Sequence, residues 1–132
     1  PNTGHGLRDS DAIESLAGFY YSILNKITLP RYEWNVTKTG TIIVHAQDKP
    51  KEVRLWQATN PEVRDFRIDK LGSKWTSVKL KPTGKKMYAA RVADPPKGWT
   101  AYMIELTFPG KLRPQKFTTG IVVTPKTLPF AE

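Results

Sequence analysis

The 132 residues predict a mainly β fold: an immunoglobulin-like antiparallel β-sandwich preceded by one amphipathic α-helix. From Tyr32 onward apolar residues recur with a period of two, in about seven short runs separated by turn residues. Before Pro30 the period is helical instead. Ile13, Leu16, Ala17, Tyr20, Ile23, Leu24 and Ile27 share one face, which Phe19 widens. The composition, 39% hydrophobic with four Trp and no Cys, supplies a core without disulfides.

Taken in order, Pro1-Asn2-Thr3-Gly4-His5-Gly6 is a turn-rich loop. Asp9, Ser10 or Asp11 can cap a helix over about 10–27, and Glu14 stands three residues after Asp11 in the capping-box position. Pro30 ends that helix. Its apolar face is expected to pack against the sandwich or to pair with a second copy, because an isolated helix of this length is marginal in water and a bare stripe invites association. A boundary at Leu29-Pro30-Arg31 separates 1–30 from a sandwich domain over 31–132.

Strands are expected near 32–37, 41–47, 52–59, 77–80, 86–93, 99–108 and 116–124. The cleanest is 99–108, where Tyr102, Ile104, Leu106 and Phe108 point one way and Ala101, Met103, Glu105 and Thr107 the other. Turn chemistry fills the intervals, as in Thr39-Gly40, Asn60-Pro61, Leu71-Gly72 and Pro95-Pro96-Lys97-Gly98. The Cys-Trp-Cys signature of true immunoglobulin domains is missing, so Trp34, Trp56, Trp75 and Trp99 are expected as core anchors.

The net charge of +9 is uneven. Residues 1–35 hold three basic and four acidic groups, which leaves the excess on the sandwich. A basic face can engage an anionic polymer such as an acidic glycan, lipopolysaccharide or nucleic acid. The competing reading is a solvated surface, because the basic residues are scattered and the longest run is two, Lys85-Lys86. No run of eighteen apolar residues is present, so a membrane-spanning helix is not expected.

Chemistry has little to stand on. Without Cys there is no thiolate nucleophile or thiolate metal site, and the two His, forty residues apart, form no ligand pair, so neither metal nor cofactor is expected. No GxSxG elbow, Walker loop or GxGxxG turn occurs. His45, within Ile42-Ile43-Val44-His45-Ala46, reads as a strand residue at a sheet face, and the sequon Asn35-Val36-Thr37 falls in a predicted strand. His5 is more informative. A His in a Gly-flanked loop just before an amphipathic helix is where an α/β-hydrolase holds its general base, although such a loop can be only a loop.

The run Trp56-Gln57-Ala58-Thr59-Asn60-Pro61-Glu62-Val63-Arg64-Asp65-Phe66-Arg67 resembles the PhoPQ-activated pathogenicity-related protein family. Gly98-Trp99-Thr100-Ala101-Tyr102, Thr118-Thr119-Gly120-Ile121-Val122-Val123-Thr124-Pro125 and Pro1-Asn2-Thr3-Gly4-His5 with its helix are similar too. The resemblance implies a larger, virulence-associated protein, secreted or periplasmic, with an α/β-hydrolase-like domain followed by a β-sandwich. This chain corresponds to its C-terminal part, with 1–30 the end of the hydrolase-like domain. His5 is then the implied triad base, its Ser and acidic partners lying upstream, and the chain by itself is expected to be inert. The upstream domain is the implied partner.

The Trp56–Arg67 run admits two readings. In one it is scaffold: Asn60-Pro61 turns the chain through Asn side-chain bonds, Arg64 pairs with Asp65, and Phe66 returns to the core. In the other, Trp56, Arg64 and Arg67 form a stacking and anion-binding surface, since guanidinium groups bind carboxylate or phosphate bidentately.

Overall fold

In a computed structural model that describes residues 1–7 and 10–129, the elements follow in order. They are α1 (Ala12–Leu24), β1 (Tyr32–Val36), β2 (Ile42–Ala46), β3 (Glu52–Asn60), α2 (Ile68–Leu71), β4 (Thr76–Lys79), β5 (Met87–Ala90), β6 (Trp99–Phe108), β7 (Gln115–Thr118) and β8 (Val122–Thr124). One antiparallel sheet has the order β1-β2-β5; the other runs β4-β3-β6-β7, with β8 also paired to β6. Ile42, Val44, Ala46 and Ala90 of the first sheet and Val53, Leu55, Tyr102, Ile104, Leu106 and Phe108 of the second form one buried cluster. The two sheets are therefore the layers of a sandwich, with the alternation of the sequence supplying the inner faces. Each fully buried large side chain in that layer contributes about 1.5–3 kcal/mol.

Two departures from expectation have local causes. The run near 116–124 is two strands, because Met103-Ile104 of β6 face three residues, Thr119-Gly120-Ile121, where the pairing register slips by one. Thr119 mends the ladder itself: its N–H donates to Ile104 O (2.9 Å) and its Oγ1 accepts from Ile104 N–H (3.0 Å). Trp34, on the edge strand β1, packs its ring over Gly120 and stays 44% exposed at the sandwich margin, so it is not the core anchor expected of it. Trp75 is buried, whereas Trp56 and Trp99 are half-buried, the latter donating through Nε1 to Thr127 O (2.9 Å).

A second cluster covers the outer face of β3 and β6. Ala58, Leu71, Trp75 and Ala101 are buried there, with Trp56, Phe66 and Val123 packed against them. The crossover between β3 and β4, including α2, thus lies on the sheet, and β6 is buried along both faces. Small outward residues at Ala58 and Ala101 make room for this.

Helix α1 also differs from expectation. It rests on edge strand β7 through its small side: Ser22 Oγ donates to Gly18 O (3.0 Å) and accepts from Gln115 Nε2 (2.7 Å), all three residues being buried. The apolar stripe faces outward, with Ile13 76%, Leu16 65% and Leu24 65% exposed. No capping box forms. Asp11 gives its carboxylate to Lys116, Glu14 lies 4.0 Å from Arg113, and the Ala12 N–H donates to Ser10 Oγ instead. The third capping candidate, Asp9, lies outside the described residues. Among the described residues no helix is long and apolar enough to cross a membrane.

Gly98 closes the turn before β6 at φ +77°, where a Cβ would lie 2.5 Å from Pro61 Cα and closer still to the Asn60 carbonyl oxygen. Gly98→Ala is expected to destabilise the chain by at least about 2 kcal/mol, combining left-handed strain with a backbone clash. Gly84→Ala, whose new Cβ would only touch Met87 at 3.8 Å, is expected to stay within about 0.5 kcal/mol. Urea unfolding of both variants separates the two cases.

Candidate functional site

The loop that carries His5 is pinned to the sandwich by one side chain. Asn2 Nδ2 donates to Trp75 O (2.8 Å) and Asn2 Oδ1 accepts from Trp75 N–H (3.0 Å), so the side-chain amide pairs with this backbone as a neighbouring strand would. Trp75 is anchored in turn, its indole N–H donating to Phe66 O (3.2 Å) while the two rings meet edge to face. Loop and crossover meet around an open hollow of about 450 Å³ lined by Thr3, Gly4, His5, Arg67, Ile68 and Asp69. His5 and Arg67, far apart in sequence, therefore share one surface. Thr3 Oγ1 is sheltered from solvent there with no hydrogen-bond partner among the described residues.

The run that leads into this hollow turns as its residues dictate. Asn60 Oδ1 accepts from the N–H groups of Glu62 (3.1 Å) and Val63 (3.2 Å), and Nδ2 donates to Asp65 O (2.7 Å). Phe66 then reaches the second cluster. The ion pair differs from the expected one: Asp65 takes Arg67, not Arg64. Arg67 stands extended at φ −68°, ψ 151° before α2, which folds both its N–H and its guanidinium back onto Asp65. Asp65 accepts from Arg67 N–H (3.1 Å), from Nε (3.0 and 3.1 Å) and from Nη2 (2.6 Å). These bonds, the side-chain ones foremost, hold the Asp65 carboxyl down to about 2, and the same contact raises Arg67. Among the described residues Nη1 has no acceptor.

Trp56, Arg64 and Arg67 do not form one surface. Trp56 lies on the outer face of β3, in register with Met103 and Ser77, and its ring lines a different hollow, beside Asp11, Glu14, Glu105 and Lys116. Arg64 is exposed and lines neither hollow. His45 is an exposed residue of β2 in register with Glu33, and Asn35 is exposed on β1. Among the described residues no group of three or more His, Asp or Glu could hold a metal ion. Asn2 and Asp69 were not expected at the site; an Asn in a loop carries no sequence signal for a backbone clamp 73 residues away.

The model of the PhoPQ-activated pathogenicity-related protein family matches residues 1–67. The chain belongs to this family. The match takes in the His5 loop, α1, β1 to β3 and the turn that ends at Arg67, so Thr3, Gly4, His5 and Arg67 of the His5 hollow fall within it and Ile68 and Asp69 just beyond it. Among curated proteins, the autocrine proliferation repressor protein A of Dictyostelium discoideum is 26% identical over 156 aligned positions, which cover 98% of this chain and 32% of that relative. The chain thus spans about a third of the relative's length. No solved structure matches.

Because the Asp65 pKa is depressed, the support the pair gives to the turn is complete above pH 3.8 and is lost as pH falls through about 2. A carboxyl-detected NMR titration is expected to place the Asp65 midpoint near 2, and Arg67→Gln to move it up toward 3.8. An unmoved midpoint in that variant means that Arg67 is not the cause.

Proposed function

We propose that this chain is the C-terminal accessory part of an exported α/β-hydrolase-like protein of the family, non-catalytic by itself. In this reading residues 1–30 complete the hydrolase-like domain, α1 docks on it through its apolar stripe, and the sandwich holds the His5 loop in place. The observation that carries the reading is the open face of α1. Ile13, Leu16, Tyr20, Ile23 and Leu24 are all more than half exposed, while the small Gly18–Ser22 side is the one spent on the sandwich. An amphipathic helix with its apolar side turned away from its own domain is built to be covered by another. The length of the curated relative, about three times that of this chain, leaves room for such a domain.

His5 then acts as general base toward a nucleophile from the preceding domain. An imidazole fits this role near neutral pH, and its exposed loop is fixed by the Asn2 clamp without being enclosed. Nothing in the sandwich has to take part in bond breaking.

The intact mass of the protein from its source is expected to exceed 14.9 kDa, with peptides extending N-terminal to Pro1. In that species the α1 amides are expected to exchange slowly with solvent, and in the 132-residue chain rapidly. Any ester or amide hydrolysis by the long form is expected to fall by roughly 10³-fold or more in His5→Gln, in line with loss of a general base. A natural protein that starts at Pro1, or turnover by the short chain, overturns the reading.

A further inference from the structure

We infer that the hollow at the end of the sandwich, where the β1–β2 turn, the β5–β6 connection and β8 converge, is a binding site for the phosphate group of a phosphate monoester. It shares no residue with the His5 hollow or the α1 stripe and does not rest on a preceding domain. Its volume is about 180 Å³, enough for a phosphate group and the first atoms of its ester. Lys38, Arg91 and Lys126 stand around it against a single carboxylate, Asp94, which leaves an excess of two positive charges.

The walls are tied to one another by bonds that leave this excess unanswered. Tyr102 donates its hydroxyl to Gly40 O (2.6 Å), which seats the β1–β2 turn on β6. Lys126 Nζ donates to Lys38 O (2.9 Å), so its ammonium meets a neutral carbonyl and no acid. The carboxylate is engaged as well, because Thr124 Oγ1 donates to Asp94. Arg91 and Asp94, close in sequence, do not pair. Among the described residues none of the three cations forms an ion pair.

Arg91 supplies the recognition element. Its side chain makes no hydrogen bond among the described residues, yet its charge reaches the floor of the hollow: burial raises the Tyr102 phenol pKa, and the Arg91 guanidinium opposes that rise. A guanidinium offers parallel N–H donors that phosphate oxygens accept two at a time, while lysines act as point charges. Charge then selects the ligand. A carboxylate or a sulfate ester brings one negative charge and a phosphate monoester nearly two, so the phosphate matches the excess. A single exposed ion pair contributes little; three cations converging on one dianion inside a fixed frame contribute more.

The Gly40 and Thr124 amide resonances report on the floor and wall of the hollow. Inorganic phosphate and glycerol 1-phosphate, added to the 132-residue chain at neutral pH, are expected to move both saturably. Methyl sulfate is expected to act more weakly, and sodium chloride at equal ionic strength not at all. Arg91→Gln is expected to weaken the phosphate response roughly tenfold, as loss of a charge-assisted bond does, and Lys38→Gln about threefold. Lys85→Gln removes an equal charge away from the hollow and is expected to leave the response unchanged. Because the Arg91 and Lys38 side chains make no bonds among the described residues, both variants are expected to unfold at the urea concentration of the parent. If Arg91→Gln unfolds earlier, Lys38→Gln carries the test in its place. Phosphatidylcholine vesicles with added phosphatidic acid separate two sources of the group: sedimentation that is lost in Arg91→Gln points to a lipid headgroup, and binding of glycerol 1-phosphate alone points to a soluble ester. The inference fails if the shifts are linear in concentration, are matched by chloride or methyl sulfate, or weaken as much in Lys85→Gln as in Arg91→Gln.

Discussion

Strand β6 is buried along both faces, and the placement of everything functional follows from that. Its inner side, Tyr102, Ile104, Leu106 and Phe108, closes the sandwich core against the opposite sheet. Tyr102 also ties the sheets by a polar bond, its hydroxyl donating to Gly40 O (2.6 Å) in the β1–β2 turn, and burial pushes its phenol pKa up. The outer side works differently. At Ala101 it is small enough for the β3–β4 crossover to lie flat, and that crossover brings the Trp75 backbone to Asn2 and Arg67 to the His5 loop. Further along the same side Glu105 lines the hollow beside the start of α1.

The helix shows how polarity can invert a simple hydrophobic expectation. Apolar faces usually turn toward their own core. Here α1 meets β7 through Gly18 and Ser22, where a Gln115 amide can reach the Gly18 carbonyl and the Ser22 hydroxyl. The side that offers the Ser22 hydroxyl and the Gly18 carbonyl to Gln115 is the one that lies on the strand edge, and the large apolar side chains are left outside. Asp11 with Lys116 and Glu14 with Arg113 strap the first turn, largely exposed contacts of modest strength that set orientation more than stability.

Charge is similarly local. The surplus of lysine and arginine lies on the sandwich, but the two hollows beside the N-terminal segment are lined by groups of both signs. At Asp65 the backbone N–H and the guanidinium of one residue converge, so that this exposed pair, unlike the strap contacts, is fixed by the path of the chain itself. The guanidinium is thereby held at the rim of the His5 hollow.

The sequence by itself determined the class of fold, the helix ahead of the sandwich, the inner alternation of β6, the Asn60 turn and the family. All of these rest on local periodicity, local side-chain bonds or motif identity, which a linear reading sees. It did not determine which way α1 would face, which arginine Asp65 would choose, or that Trp34 would lie at the margin over Gly120. Nor did it show that Glu105, an apparently outward residue of an alternating strand, would be covered. Those depend on long-range neighbours: a second layer on the outer face of β6, a one-residue bulge opposite Met103-Ile104, and an Asn side chain that finds its backbone partner across 73 residues. Tertiary packing decides them because each asks what lies on the far side of a residue, and a period of two tells only which side that is.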